Sequence, residues 1–178
     1  MKTRLICCLI ILLLGASGFS QKFKSIECKI HFTSDAPMEV IEATNSAGMS
    51  ILDLSNGKIA FSIPVNQFLF EKSLMQEHFN ENYMETDKYP KAIFLGMASP
   101  YQFKEGINQV KVEGEMDLHG VKKKLSVDGV IVKAGERLVA HAEFKLLLQD
   151  FNIKVPKAVY YNIAEEIVIT IDFTYASS

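Results

Sequence analysis

The chain has 178 residues, with 19 Lys and Arg against 21 Asp and Glu, and 48% of it is hydrophobic. A net charge of −2 leaves no electrostatic footprint for DNA or RNA. The length fits one domain with a sizeable core better than two.

The first segment reads as a leader. Lys2 and Arg4 precede an apolar run from Leu5 to Leu14, and the small, mildly polar stretch Gly15 to Ser20 places Gly18 and Ser20 where a signal peptidase reads. This predicts a signal peptide over 1–20, cleavage before Gln21 and a mature domain over 21–178. The apolar run is shorter than the about 20 residues a permanent transmembrane helix needs, so a periplasmic or secreted protein without stable membrane insertion is expected. Cys7 and Cys8 leave with the leader and Cys28 alone remains, so no intrachain disulfide is possible. Cys28 falls on an alternating strand and reads as a small buried apolar residue. Seventeen basic against twenty-one acidic side chains remain, a net charge of −4.

The mature chain then reads as strands. Ile26, Cys28, Ile30 and Phe32 alternate with Lys29 and His31, and short strands follow over 39–43 and 48–54. Ser55-Asn56-Gly57 is a hairpin signal, because Asn and Gly accept positive φ. The strand over 58–66 leads through Phe61, Ile63 and Val65 into the one helical segment. There Ser73 and Gln76 form a capping-box pattern, and Met75, Phe79 and Tyr83 fall four apart on one face. Tyr89-Pro90 ends this insert, and strands over 92–98, 110–118, 125–132 and 138–148 follow at glycine-bearing turns. The last strand sets Ile167, Ile169, Ile171, Phe173 and Tyr175 on one face and Thr170, Asp172 and Thr174 on the other. Eight or nine strands with one apolar face each predict an all-β antiparallel sheet, closed or folded over on itself. No βαβ alternation suggests a parallel sheet.

Small residues interrupt the apolar faces at Gly114, Gly129, Ala140 and Ala142. They fit either a hollow barrel that holds one slender ligand or strand bends in a barrel filled by side chains. No nucleophile motif, phosphate loop, dinucleotide fingerprint or paired-cysteine metal site is present in the sequence. His78, Glu81 and Glu85 could share a helix face and hold a metal, or form a solvated polar face. His119, in the turn Leu118-His119-Gly120-Val121, could tie down the hairpin backbone. His31 and His141 fall on outward faces, and Lys122-Lys123-Lys124 reads as a solvated turn or a membrane-surface contact.

The order FSIPV, SLMQEHFNENYMETDKYPKAIF and VEGEMDLHGVKKKL resembles the YceI-like family of secreted lipid-binding proteins, in particular its Bacteroidetes-type branch. The resemblance covers about 32–175. It implies an eight-stranded antiparallel up-and-down β-barrel, lipocalin-like, with one short helical insert, whose interior binds a polyisoprenoid or similar amphiphile. Carried onto this chain, the apolar lining would comprise Phe61, Ile63, Phe94, Val112, Met116, Phe144 and Leu146, with Met75, Phe79 and Tyr83 near the mouth. Tyr83, Tyr89 and Asn82 would supply polar groups at the rim. The connection HFNENYMETDKYP is longer and more polar than the common family pattern. The expectation is therefore a non-enzymatic carrier of a long-chain isoprenoid or fatty-acyl lipid, with no catalytic residues, metal or cofactor. The other readings are an envelope interaction protein with a filled barrel, and a metal- or haem-assisted enzyme using His78 or His119. The sequence sets no oligomeric state.

Overall fold

The structure, a computed structural model, describes residues 22–156 and 161–177. The leader expected over 1–20 lies outside the described residues. Ten strands form one antiparallel sheet: β1 (Lys22–Asp35), β2 (Val40–Asn45), β3 (Met49–Asp53), β4 (Lys58–Pro64), β5 (Leu69–Phe70), β6 (Lys91–Ser99), β7 (Gly106–Leu118), β8 (Val121–Ala134), β9 (Arg137–Leu147) and β10 (Glu166–Ser177). Their order is β10-β9-β8-β7-β6-β4-β3-β1-β2-β5, and β10 also pairs with β1. That last pairing closes eight strands into a barrel, which removes the unpaired edges an open sheet would carry. Strand alternation, tight turns and closure thus follow the expected eight-stranded architecture.

Two features were hidden in the pattern. β2 and β3 share one side of β1: β2 pairs with its far half, Ile30 to Asp35, and β3 with its start, Lys22 to Lys24. Asn45, fully buried at the break, donates to the Pro64 carbonyl at 2.8 Å and accepts the Ala47 N–H at 2.8 Å. Its amide satisfies backbone groups that the interrupted ladder would otherwise leave unpaired. β5 is only two residues long and extends the sheet outside the barrel, beside β2.

The helical insert is shorter and less regular than expected. Helix α1 (Ser73–His78) begins with Lys72 at the cap and no side-chain cap bond. Gln76 Oε1 accepts the Phe70 N–H at 3.4 Å instead, because β5 brings Phe70 back beside the helix. A π-helical turn, Phe79–Tyr83, follows, in which the Met84 N–H reaches the Phe79 carbonyl at 2.9 Å. Phe79 and Met84 pack into the same upper cluster although they are five residues apart. A turn widened by one residue meets that requirement, and such turns recur at functional sites.

The interior divides into two zones. Phe23, Leu52, Ile59, Ile131, Leu138, Phe173 and Tyr175 fill one end, with Leu52, Leu138 and Tyr175 wholly buried. The Ser50 and Tyr175 hydroxyls hydrogen-bond at 2.7 Å within it, and burial pushes the Tyr175 phenol up from its ordinary pKa. The other end is covered by Val65, Met84, Phe151 and Ile153, the last two from the 3-10 turn Leu148–Phe151 and the residues after it.

Candidate functional site: an apolar cavity under an aromatic lid

Inward residues of the middle strands are only half-buried although they face the barrel's interior. Val112, Met116, Leu125, Val127, Ile169 and Ile171 alternate with outward neighbours, yet remain accessible. The reason is a cavity of about 460 Å3, walled almost wholly by hydrocarbon. Interiors are normally packed to crystal-like density, so a void of this size has a structural cause. Ile131, Ala140 and Phe173 share one cross-strand row, and Gly129, Ala142 and Ile171 the next. Two of the three residues in that second row are small, so the wall recedes there.

Aromatic rings bound the void at both ends. On the floor Phe61 lies 5.1 Å from Phe173 and 6.0 Å from Phe94 between ring centroids, and Phe173 lies 6.1 Å from Tyr175. The lid is a cluster of four phenylalanines. Phe79 sits 5.6 Å from Phe32, 5.8 Å from Phe68 and 5.0 Å from Phe70, and Phe32 meets Phe68 at 5.3 Å. These separations are those of favourable edge-to-face and offset pairs. The lid therefore coheres through its own rings while presenting only hydrocarbon to the void.

Polar groups are confined to the rim. Glu39 accepts a hydrogen bond from Lys72 at 3.1 Å and one from the Asn162 side chain at 3.5 Å, joining the β1–β2 turn to the start of α1 and to the segment before β10. The Ser34 hydroxyl accepts the Ala164 N–H at 2.8 Å. His119 fixes the insert from the other side. Its Nδ1 lies 3.0 Å from the Phe151 carbonyl, its Nε2 lies 3.1 Å from Glu85, and Tyr89 packs edge-on at 4.6 Å. His119 thus ties two distant segments together and does not bond its own hairpin, as its position in the turn had suggested.

All ten residues expected to line the interior, Phe61, Ile63, Met75, Phe79, Tyr83, Phe94, Val112, Met116, Phe144 and Leu146, stand on the cavity wall. Burial also pushes the Tyr83 phenol up. Asn82 is exposed and Tyr89 packs on His119, so neither borders the cavity. Gly114 is not a source of space either: a Cβ there would come within 2.6 Å of the Phe94 ring, which covers both Gly114 and Gly96. The reading overlooked β10, whose Ile167, Ile169 and Ile171 line the wall, and the residues Phe32, Phe68 and Phe70 of the lid. The clean alternation of β10 carried that signal; the lid phenylalanines have no regular spacing. Among the described residues, no group of three or more His, Cys, Asp or Glu side chains could hold a metal ion. Glu85, one member of the suggested trio, turns to His119 and Lys88.

A family model for the YceI-like domain matches residues 13–175. The chain belongs to the YceI-like family. Solved structures share the fold at low identity. A polyisoprenoid-binding domain from Saccharophagus degradans, implicated in plant cell wall breakdown, superposes with a TM-score of 0.77 at 12% identity, covering 88% of this chain and 98% of that one. BcnA of Burkholderia cenocepacia gives 0.71 at 16% identity, over 83% and 95% of the two chains. A YceI protein of Campylobacter jejuni gives 0.56 at 16%, over 71% and 78%. The comparison with curated proteins finds no match. The YceI-like barrel supports a binding role; at these identities the structural likeness is one of fold.

Proposed function

We propose that the protein is a non-enzymatic carrier that holds an isoprenoid or fatty-acyl chain inside the barrel, in the periplasm or outside the cell. The observation that carries this reading is the 460 Å3 cavity with hydrocarbon walls and a polar rim. Its size sets a capacity. At about 30 Å3 per heavy atom, the liquid volume of a water molecule, it accommodates on the order of fifteen carbons, or three isoprene units. A longer chain would leave its remainder and its head group at the rim, beside Glu39, Lys72 and Asn162. Transfer of fifteen carbons from water at ~0.8 kcal/mol each contributes on the order of 12 kcal/mol before the costs of association. No hydrogen bond to the tail is needed. The leader expected from the sequence over 1–20 is consistent with a carrier role, since an amphiphile crossing an aqueous compartment needs a container.

Native mass spectrometry of protein purified without detergent, followed by organic extraction, tests the reading. A discrete added mass that partitions into solvent is expected. Protein without added mass that also fails to take up palmitate, farnesol or a C40 polyprenol would overturn it.

A further inference from the structure

The outer wall of the barrel carries an apolar face that the carrier function does not use. One cross-strand row runs Lys24, Ile51, Ala60, Leu95, Glu115 across β1, β3, β4, β6 and β7. The next row on β3, β4 and β6 is Met49, Ser62, Ile93, and Met97 flanks the pair. Met49, Ile51, Leu95 and Met97 are 62, 46, 61 and 53% exposed. Four large apolar side chains on β3 and β6, the two strands that flank β4, form a patch of roughly 500 Å2, at the upper end of what a monomer shows. That is somewhat over half of the about 800 Å2 each partner buries in a standard interface.

We propose that this face is the contact between two copies of this chain, related by a two-fold axis that runs along β4. The pattern is self-complementary about that strand. Rotation about such an axis lays β4 on β4 and sets β3 of each copy against β6 of the other, an isologous contact. A barrel wall curves away from its crest, so two barrels touching at β4 leave wedges on either side. The small Ala60 and Ser62 stand on the crest, and Met49, Ile51, Leu95 and Met97 stand where the wedges open. The exposed Lys58 ends the crest beside Met97 and meets its own copy there, a like-charge contact that the opposed charges of the flanks must offset. The flanks then carry opposite charge: Lys24 on the β1 side, Glu113 and Glu115 on the β7 side. The same rotation brings the positive flank of one copy towards the negative flank of the other, whereas a two-fold axis across the strands would oppose like charges. Glu115 also pairs with Lys122 at 3.4 Å in its own chain, an exposed pair of the kind that contributes little and leaves the carboxylate available.

Sedimentation equilibrium of the mature protein at tens of micromolar tests the proposal. The expected mass is twice that of one chain, falling to that of one chain for Leu95→Glu. Val139→Glu, on β9 diametrically across the barrel and 43% exposed, should remain dimeric. Both sites face outward, and circular dichroism confirms that each variant is folded. A second variant reads the axis directly: Ala60→Cys meets its own copy there, so mild oxidation should give a covalent dimer that the parent chain, with Cys28 alone, does not form. A monomeric parent protein, a dimer that Val139→Glu dissociates and Leu95→Glu does not, or a dimer in which Ala60→Cys fails to crosslink would each overturn it. A monomer that floats with phosphatidylglycerol vesicles in a Leu95-dependent way would reassign the face to a lipid surface.

Discussion

Replacing Ala142 by Phe separates the cavity from the barrel that encloses it. Ala142 lies on the cavity wall opposite Gly129, in a cross-strand row with two small residues. A benzene-sized ring occupies a cavity of about 150 Å3, roughly a third of the 460 Å3 present here. It would displace about four to six carbons of a bound chain. At ~0.8 kcal/mol per methylene the loss is about 3–5 kcal/mol, which corresponds to a rise in Kd of roughly 100- to 4,000-fold. The ring enters space that is already empty, so the overpacking penalty of about 1–3 kcal/mol that a filled core would impose should be largely absent. Titration with a fluorescent fatty acid gives Kd, and urea unfolding of delipidated protein gives stability. Weakened binding with stability within about 1 kcal/mol of the parent is expected. A folded Ala142→Phe protein that binds an unshortened chain with parental affinity would refute the placement of the ligand.

Three further outcomes follow from the same geometry. Phe144→Glu places a carboxylate on a hydrocarbon wall and should reduce uptake by more than about 100-fold; parental binding by a folded variant in the same titration would contradict the lining. Tyr175→Phe leaves the Ser50 hydroxyl buried without its partner, which should cost about 1–3 kcal/mol at pH 8 and be visible in chemical denaturation. The same substitution reports on alkaline stability. The folded state holds the Tyr175 phenol protonated above its ordinary pKa of 10.0, so above that pH the unfolded chain binds fewer protons and stability falls; Tyr175→Phe removes this share of the pH dependence. His119→Asn keeps a residue tolerant of the positive φ, +53° at this position, but releases both the Phe151 carbonyl and Glu85. Hydrogen exchange should then accelerate by about tenfold or more, equivalent to at least ~1.4 kcal/mol, at Phe79 to Tyr89 and Leu148 to Ile153, with the barrel strands unchanged.

The barrel was legible because strand alternation is a strictly local signal. Phe61 and Ile63, Val112 and Met116, and Phe144 and Leu146 each stand an even number of residues apart and therefore share a face, whichever partners they find. Closure left no such mark, since it depends on β10 meeting β1 over more than a hundred residues of sequence. The lid was legible only as composition. Phe32, Phe68, Phe70 and Phe79 come from three separate stretches, β1, residues 68–70 and the helical insert, and the ring contacts that join them follow no period. The capping box failed for a related reason: Ser73 and Gln76 have the right spacing, but β5 supplies Gln76 with a nearer donor in Phe70. Small residues proved ambiguous in the way their chemistry implies. Gly129 and Ala142 both line the cavity, although a Cβ at Gly129 would come within 2.9 Å of the His141 carbonyl oxygen, whereas Gly114, paired with Gly96, is covered by the Phe94 ring from the diagonal position, and no local pattern in the sequence distinguishes the two uses.

The division of the interior also bears on why a chain would keep a void at all. Apolar volume left unfilled costs stability because the side chains lining it lose the contacts a packed interior would give them, and the pocket of about 460 Å3 is large for a domain whose whole stability is small. The chain meets this cost unevenly. Its closed end carries the dense packing of Leu52, Leu138, Phe173 and Tyr175, while the lid end is held by ring contacts among phenylalanines and by exposed polar bonds from Glu39 and Glu85. Opening is expected to begin at the lid, which is fastened by its own ring contacts and by exposed polar bonds. A hydrocarbon chain that enters restores the missing contacts on the cavity wall, and its binding free energy adds to the stability of the folded state. On the proposed carrier role, the void, the lid and the densely packed floor are three aspects of one arrangement, in which a bound chain would complete the native packing.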